Sequence, residues 1–182
     1  MTSNDTPINP YRVYAGMMEV LDPRNSFVTH ESGTTRDQLS TVYDTLIPRG
    51  FLGWGNVSTL GFSFAAAVAA KLAFPERHSI AVTGEAGLAY MLGNLESPVR
   101  HKLGITVVHI SNGGFAGYGP GFWGDGHNPY THAVLGPEEV DTPKALAEFG
   151  LHTERVTEPS DIVGALERAL AANDNGQPSY IE

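Results

Sequence analysis

His78-Ser-Ile-Ala-Val-Thr-Gly-Glu-Ala-Gly87 and Ile105-Thr-Val-Val-His-Ile-Ser-Asn-Gly-Gly114 are the two stretches whose reading decides the fold. Each begins with a short run of apolar and β-branched residues, 78–83 and 105–110, and then breaks into a glycine-containing turn. The runs do not alternate apolar with polar, the pattern of strands covered on both faces in a parallel sheet. Residues 87–102 between them read as helical, with Pro98 starting or breaking a segment. Strand, helix and strand in this order make a parallel crossover unit.

Working outward, residues 10–21 predict a first helix, with Tyr11, Val13, Tyr14, Met17, Met18 and Leu21 at three- and four-residue spacing. Asp22-Pro-Arg-Asn25 stops it, 26–29 reads as a short strand, and Ser32-Gly-Thr-Thr35 as a turn into a further helix. Residues 50–61 read as a loop, and the alanine-rich helix that follows is closed by Pro75. Beyond 140, a helix at 141–149, a strand at 152–156, a helix at 160–172 and a strand at 179–181 continue the alternation. The expectation is one α/β domain of five or six strands: a three-layer α/β/α sandwich with a mostly parallel, flavodoxin- or Rossmann-like sheet. Residues 1–8 read as a polar lead-in and 9–182 as the domain.

The chain has 182 residues, a hydrophobic fraction of 41% and a charged fraction of 17%, a globular composition long enough to fold without staples. With no cysteine, disulfides, thiolate nucleophiles and thiolate metal sites are all excluded. Lys+Arg 11 against Asp+Glu 20 leaves a net charge of −9 and no basic cluster, so nucleic acid is not an expected partner. The most apolar run, GFSFAAAVAAKLAF at 61–74, holds Lys71 and falls short of the ~20 residues a membrane span needs. The N-terminus lacks a signal-peptide layout, and a cytoplasmic location is expected. Glycine is in excess, with 21 residues. Seven of them crowd into fourteen positions, at 113, 114, 117, 119, 121, 124 and 126, a density foreign to a strand or helix interior.

Ligands of open parallel sheets bind beyond the carboxyl ends of the strands. There, Gly84-Glu-Ala-Gly87 and Ser111-Asn-Gly-Gly114 combine backbone that a bulky anion can approach with oxygen ligands, Glu85 and Asn112, of the type Mg²⁺ or Ca²⁺ prefers. An acidic side chain beside a phosphate calls for a divalent cation between them. The same residues also read as ordinary strand-end turns. The Walker-type phosphate loop is absent, and Gly117-Tyr-Gly-Pro-Gly121 is not a strand-to-helix turn, which argues against a nicotinamide cofactor.

Glu85 and Asn112 stand 27 residues apart. This spacing resembles the Gly-Asp-Gly…Asn-Asn motif of the thiamine diphosphate-dependent family of acetolactate synthases and 2-oxo acid decarboxylases. Asn94-Leu-Glu-Ser-Pro-Val-Arg-His101 looks like that family's Leu-Glu-Thr-Ala-Val-Arg helix, and Ser58-Thr-Leu-Gly-Phe-Ser-Phe-Ala-Ala-Ala67 like its Gly-Thr-Met-Gly-Phe-Gly-Leu-Pro-Ala-Ala. Asp141-Thr-Pro-Lys-Ala-Leu-Ala-Glu-Phe-Gly150 and Gln177-Pro-Ser-Tyr-Ile-Glu182 are similar to its closing helix and strand. The resemblance runs from about residue 8 to the end. It implies the thiamine diphosphate-binding fold, in the half that holds diphosphate and metal.

By that resemblance Glu85, Asn112 and the Gly114 carbonyl bind Mg²⁺, and Gly84, Ala86 and Gly87 approach the diphosphate. Leu60 would prop the cofactor in its bent shape, the Ser58 carbonyl would face the aminopyrimidine, and Phe115 would line the cofactor site. The sequence departs from the family at Glu85 for Asp, Ala86 for the second Gly, and Ser111 for the first Asn. The pyrimidine-binding domain, which carries the activating glutamate, has no counterpart here. The expectation is therefore a split enzyme, with Met1 as a natural start and a separate pyrimidine-domain subunit in a hetero-oligomer with at least two copies of each half. The implied reaction is decarboxylation or carboligation of a small 2-oxo acid or aldehyde, a lyase or transferase activity. His30 and Glu31 after the first strand, and His127 in the glycine-rich stretch, are the candidate catalytic residues. Residues 113–126 read as a closing loop. The alternatives are a non-catalytic subunit of the same fold that has lost its metal, and an unrelated α/β phosphate-binding enzyme.

Overall fold

The computed structural model describes residues 1–112 and 140–182. Six strands form one parallel sheet in the order β2-β1-β3-β4-β6-β5. The strands are β1 (Ser26–His30), β2 (Phe51–Leu52), β3 (His78–Thr83), β4 (Thr106–His109), β5 (His152–Glu154) and β6 (Ser179–Ile181). Every residue of β1, β4 and β6 is buried, and so is all of β3 after His78. This is the outcome the non-alternating runs demand, because helices cover both faces.

One layer consists of α1 (Pro10–Val20), α2 (Thr34–Leu39) and α7 (Ile162–Asp174). Tyr14, Met17, Leu39, Ile162 and Leu166 from it pack on Val28, Ile80, Val82 and Val108 of the sheet. The opposite layer consists of α3 (Phe62–Ala73), α4 (Glu85–Met91), α5 (Glu96–Arg100) and α6 (Thr142–Ala147). Phe64, Ala67, Leu88 and Leu146 from it cover Ala81, Val107 and Tyr180. The three-layer architecture expected from the sequence is the one observed, and the sheet is parallel throughout.

The stretch read as helical over 87–102, with a segment starting or breaking at Pro98, is three pieces: α4, a 3-10 helix at Leu92–Leu95, and α5. Pro98 sits in the first turn of α5, where its missing N–H costs nothing. Strand β2 lies inside the span expected as a loop. It has two residues and pairs Val28 with Phe51 and Thr29 with Leu52. Because β1 is flanked by β2 on one side and β3 on the other, the chain reverses direction across the sheet between β1 and β3. That is the crevice where doubly wound folds take their ligands.

Candidate active site

Three strand ends converge beside that crevice: Glu31 follows β1, Glu85 follows β3 and Asn112 follows β4. Gly84, the residue before α4, is extended at φ −113° and makes no side-chain cap. A Cβ placed on it would meet nothing within 4 Å among the described residues, so the backbone here borders space they leave open. The first-turn N–H groups of a helix lack intrahelical partners and favour anions. Glu85 opens α4 and is 8% exposed, and its Oε1 accepts the Asn112 backbone N–H at 2.5 Å. Two of the three residues expected to ligate a metal are thus adjacent, joined through the Asn112 backbone. The third, Gly114, lies outside the described residues, as do Phe115, His127 and the 113–126 loop. Among the described residues, no cluster of three or more His, Asp or Glu side chains could hold a metal by itself.

The second turn expected to meet the cofactor, residues 58–61, lies against the far end of α4. Ser58 and Gly61 both take left-handed backbone, φ 48° and 82°, the second being the conformation glycine adopts without strain. A Cβ on Gly61 would sit 3.0 Å from the Met91 sulfur. Ser58 is exposed, with its Oγ 2.5 Å from Ser32 Oγ, and Leu60 is half-buried. Helix α4 therefore has the diphosphate-type turn at its start and the 58–61 turn packed on its end, roughly 10 Å apart along its axis.

Glu31 is 1% exposed, and its side chain turns inward. Its Oε1 accepts the Ser63 N–H at 3.0 Å and the Ser63 hydroxyl at 2.5 Å. Burial pushes the carboxyl above its ordinary range, against the opposing pull of Ser63 and of the Gly61 and Phe62 amides. Its neighbour His30 is also buried, its ring packed on Phe51 and its Nδ1 3.0 Å from the Glu31 carbonyl oxygen. Burial holds its pKa down, so the imidazole is neutral at physiological pH.

Sequence reasoning did not select Ser32 or Ser63, although Ser63 is fully buried and receives the Glu31 carboxylate. A serine inside an apolar helix start was the available signal. His109, in β4, is buried, and its ring is held by Tyr180, whose hydroxyl donates to Glu182 at 3.1 Å. That leaves His109 Nδ1, at 2.6 Å, as the donor to the tyrosine oxygen, and Nε2 without a partner among the described residues. Burial lowers the His109 pKa, opposed by the Glu85 and Glu182 carboxylates.

Residues 31–182 match the family described as thiamine pyrophosphate enzyme, C-terminal TPP binding domain. The chain is 27% identical over 184 residues to a probable acetolactate synthase large subunit of Methanocaldococcus jannaschii, covering 96% of this chain and 30% of the relative. It is 32% identical over 185 residues to 2-hydroxyacyl-CoA lyase 1 of Mus musculus, covering 96% of this chain and 31% of the relative. The thiamine diphosphate-dependent 4-hydroxybenzoylformate decarboxylase of Rhodococcus jostii RHA1 superimposes with a TM-score of 0.84 at 24% identity, over all of this chain and 33% of that one. The chain thus spans about a third of the length of the relatives it matches, and the likeness to the solved structure speaks for the fold. With the family match reaching from the end of β1 to the last residue, the chain belongs to the thiamine pyrophosphate enzymes, as their C-terminal TPP-binding domain.

Proposed function

We propose that this chain is the diphosphate- and metal-binding half of a thiamine diphosphate-dependent 2-oxo acid decarboxylase or carboligase, active together with a pyrimidine-binding domain on a partner subunit. The observation that carries the reading is the meeting of Glu85 with Asn112 beyond the carboxyl ends of β3 and β4, next to the open backbone at Gly84. A carboxylate and an amide are hard oxygen donors suited to Mg²⁺. Residue chemistry and open space together fit a metal-bridged diphosphate.

When bound, thiamine diphosphate supplies the reactive carbon and the electron sink for cleaving a bond next to a carbonyl. The chain's own contribution is position and charge. Glu85 and Asn112 would hold the metal, with the Gly114 carbonyl as the third protein ligand. The amides of Ala86 and Gly87 would bind the diphosphate, and the 58–61 turn, with the Ser58 carbonyl and the Leu60 side chain, would support the ring system. His30 and His127 are the candidate groups for moving protons at the substrate, His30 entering as a neutral imidazole. Small 2-oxo acids or aldehydes are the substrate class, and the assembly has at least two copies of each subunit. Cytoplasmic location belongs to the same reading. Among the described residues, no helix is long and apolar enough to cross a membrane.

Reconstitution tests the reading. The chain, mixed with its pyrimidine-domain subunit, thiamine diphosphate and Mg²⁺, is expected to release carbon dioxide from a 2-oxo acid, and neither subunit alone is. Glu85→Ala should abolish that turnover. Full turnover by Glu85→Ala would overturn the assignment of the metal, and cofactor-independent assembly without turnover would favour a non-catalytic subunit.

A further inference from the structure

The buried acid Glu31 is tied to more elements than its neighbours. It sits past the last residue of β1, and its N–H extends the strand by donating to the Val82 carbonyl at 3.2 Å. Its Oε1 takes both donors of Ser63. Ser63 is the second residue of α3, a twelve-residue helix whose own cap, Gly61, provides no side-chain hydrogen bond. Glu31 therefore supplies from across the crevice the cap that α3 lacks. Ser32, next in sequence, holds Ser58 through the hydroxyl contact, so residues 31–32 grip the 58–63 segment at both ends.

The same side chain backs the other turn. A Cβ on Gly87 would lie 2.7 Å from Glu31 Cγ and 2.8 Å from Cδ, which means that the first turn of α4 rests directly on the glutamate stem. Its second oxygen, Oε2, has no hydrogen-bond partner among the described residues, and Glu31 shares a small cavity with Ser63, Thr83, Gly87 and Met91. A group needed only to cap a helix gains nothing from touching α4. A group that must keep two turns in register has to touch both.

We propose that Glu31 is a positioning residue that locks the 58–61 turn and the 84–87 turn into one rigid cofactor-binding unit. This rests on the functional reading above, but its primary test does not. Glutamine keeps an oxygen acceptor for Ser63 and the same stem against Gly87, whereas alanine keeps neither. Amide hydrogen exchange on the full chain should accelerate at 58–63 and at 84–88 together in Glu31→Ala, by tenfold or more, and stay near wild type in Glu31→Gln. Ser79→Ala is the control for general loosening. It removes a buried bond from Ser79 Oγ to the Ala67 carbonyl, between the same β3 and α3, without touching either turn.

In the assembled complex, the dissociation constant for thiamine diphosphate with Mg²⁺ should rise at least tenfold in Glu31→Ala. It should change less than threefold in Glu31→Gln and in Ser79→Ala, although the latter lowers Tm. Should Glu31→Ala fail to fold, Ser63→Ala replaces it, with a smaller acceleration that again appears in both turns. Acceleration confined to 58–63, or a Ser79→Ala variant that weakens cofactor binding as much, would overturn the proposal. A wild-type complex that takes up no cofactor would refute the functional reading and leave the exchange comparison to decide the role of Glu31.

Discussion

Replacing Gly87 with alanine isolates the contact between α4 and the residues beneath it. The new methyl would stand 2.5 Å from Thr83 Oγ1, 2.7 Å from Glu31 Cγ and 2.8 Å from Glu31 Cδ. Ordinary carbon contacts begin near 3.5 Å, so the neighbours must retreat by roughly 0.7–1.0 Å. Glu31 has little room to do so, because its tip is anchored to the Ser63 N–H and hydroxyl. Overpacking of this kind costs about 1–3 kcal/mol, and loosening one anchored hydrogen bond adds about 1 kcal/mol. Alanine's better helix propensity returns about 1 kcal/mol, since Gly87 lies within α4. The net is about 2 kcal/mol, which for a chain of this size lowers Tm by roughly 4–8 °C. Gly84→Ala is the matched comparison. Its methyl enters open space on extended backbone, so stability should stay within about 0.5 kcal/mol of wild type. That methyl nevertheless occupies the room in front of the turn, and cofactor affinity should fall at least tenfold. Thermal melts and cofactor titration of both variants separate the two effects. A Gly87→Ala chain with unchanged Tm, or a Gly84→Ala chain as destabilised as Gly87→Ala, would refute the reasoning.

Asn173→Ala should be among the most destabilising polar substitutions, at about 2–4 kcal/mol, with cofactor affinity in the assembled complex unchanged. Its buried amide accepts from Thr106 at 2.6 Å and donates to the Ile105 and Gln177 carbonyls and to Ser179, so truncation strands partners in the core; urea denaturation measures the loss. His109 gives the chain an acid-side weakness. Its folded pKa lies below the ordinary 6.5, so the stability it contributes is present above pH 6.5 and lost as pH falls through that lower value. Melts between pH 7.5 and 5 should show Tm falling less steeply in His109→Leu than in wild type, and parallel curves would contradict the sign. Glu154 works in the carboxylate range: hydrogen bonds from Arg168 and then His152 hold its pKa below 4.5, so its contribution is full above pH 4.5 and fades below it. Arg168→Gln should flatten the dependence of Tm on pH between pH 5 and 3, a modest effect because the pair is partly solvated.

Much of the fold was legible because its strands are buried on both faces. Residues 78–83 and 179–181 read as strands with the observed bounds, since continuous apolar runs leave little freedom in placing them. Strand β2 was not legible: two residues among glycines carry no periodicity, and only pairing with β1 makes them a strand. Within the helical stretch 87–102 a break was legible only at Pro98, whereas the chain interrupts the helix earlier, at the 3-10 segment Leu92–Leu95, which brings Leu95 into the core. Of the candidate site, the spacing singled out Glu85 and Asn112, and the two do meet. The inward turn of Glu31 was not foreseen. Its partner Ser63 is 32 positions away, and nothing local shows that a glutamate at a strand end will cap a helix on another element. The His109–Tyr180 bond, spanning 71 positions, was hidden for the same reason.

The account turns on whether the Glu85–Asn112 pair holds a metal-bridged diphosphate. Isothermal titration of thiamine diphosphate into the chain with its pyrimidine-domain subunit, with and without Mg²⁺, measures this directly. The account predicts saturable binding that requires the metal and that Glu85→Ala weakens at least tenfold while Glu85→Asp retains it. Binding indifferent to Mg²⁺, or equal in wild type and Glu85→Ala, would contradict it.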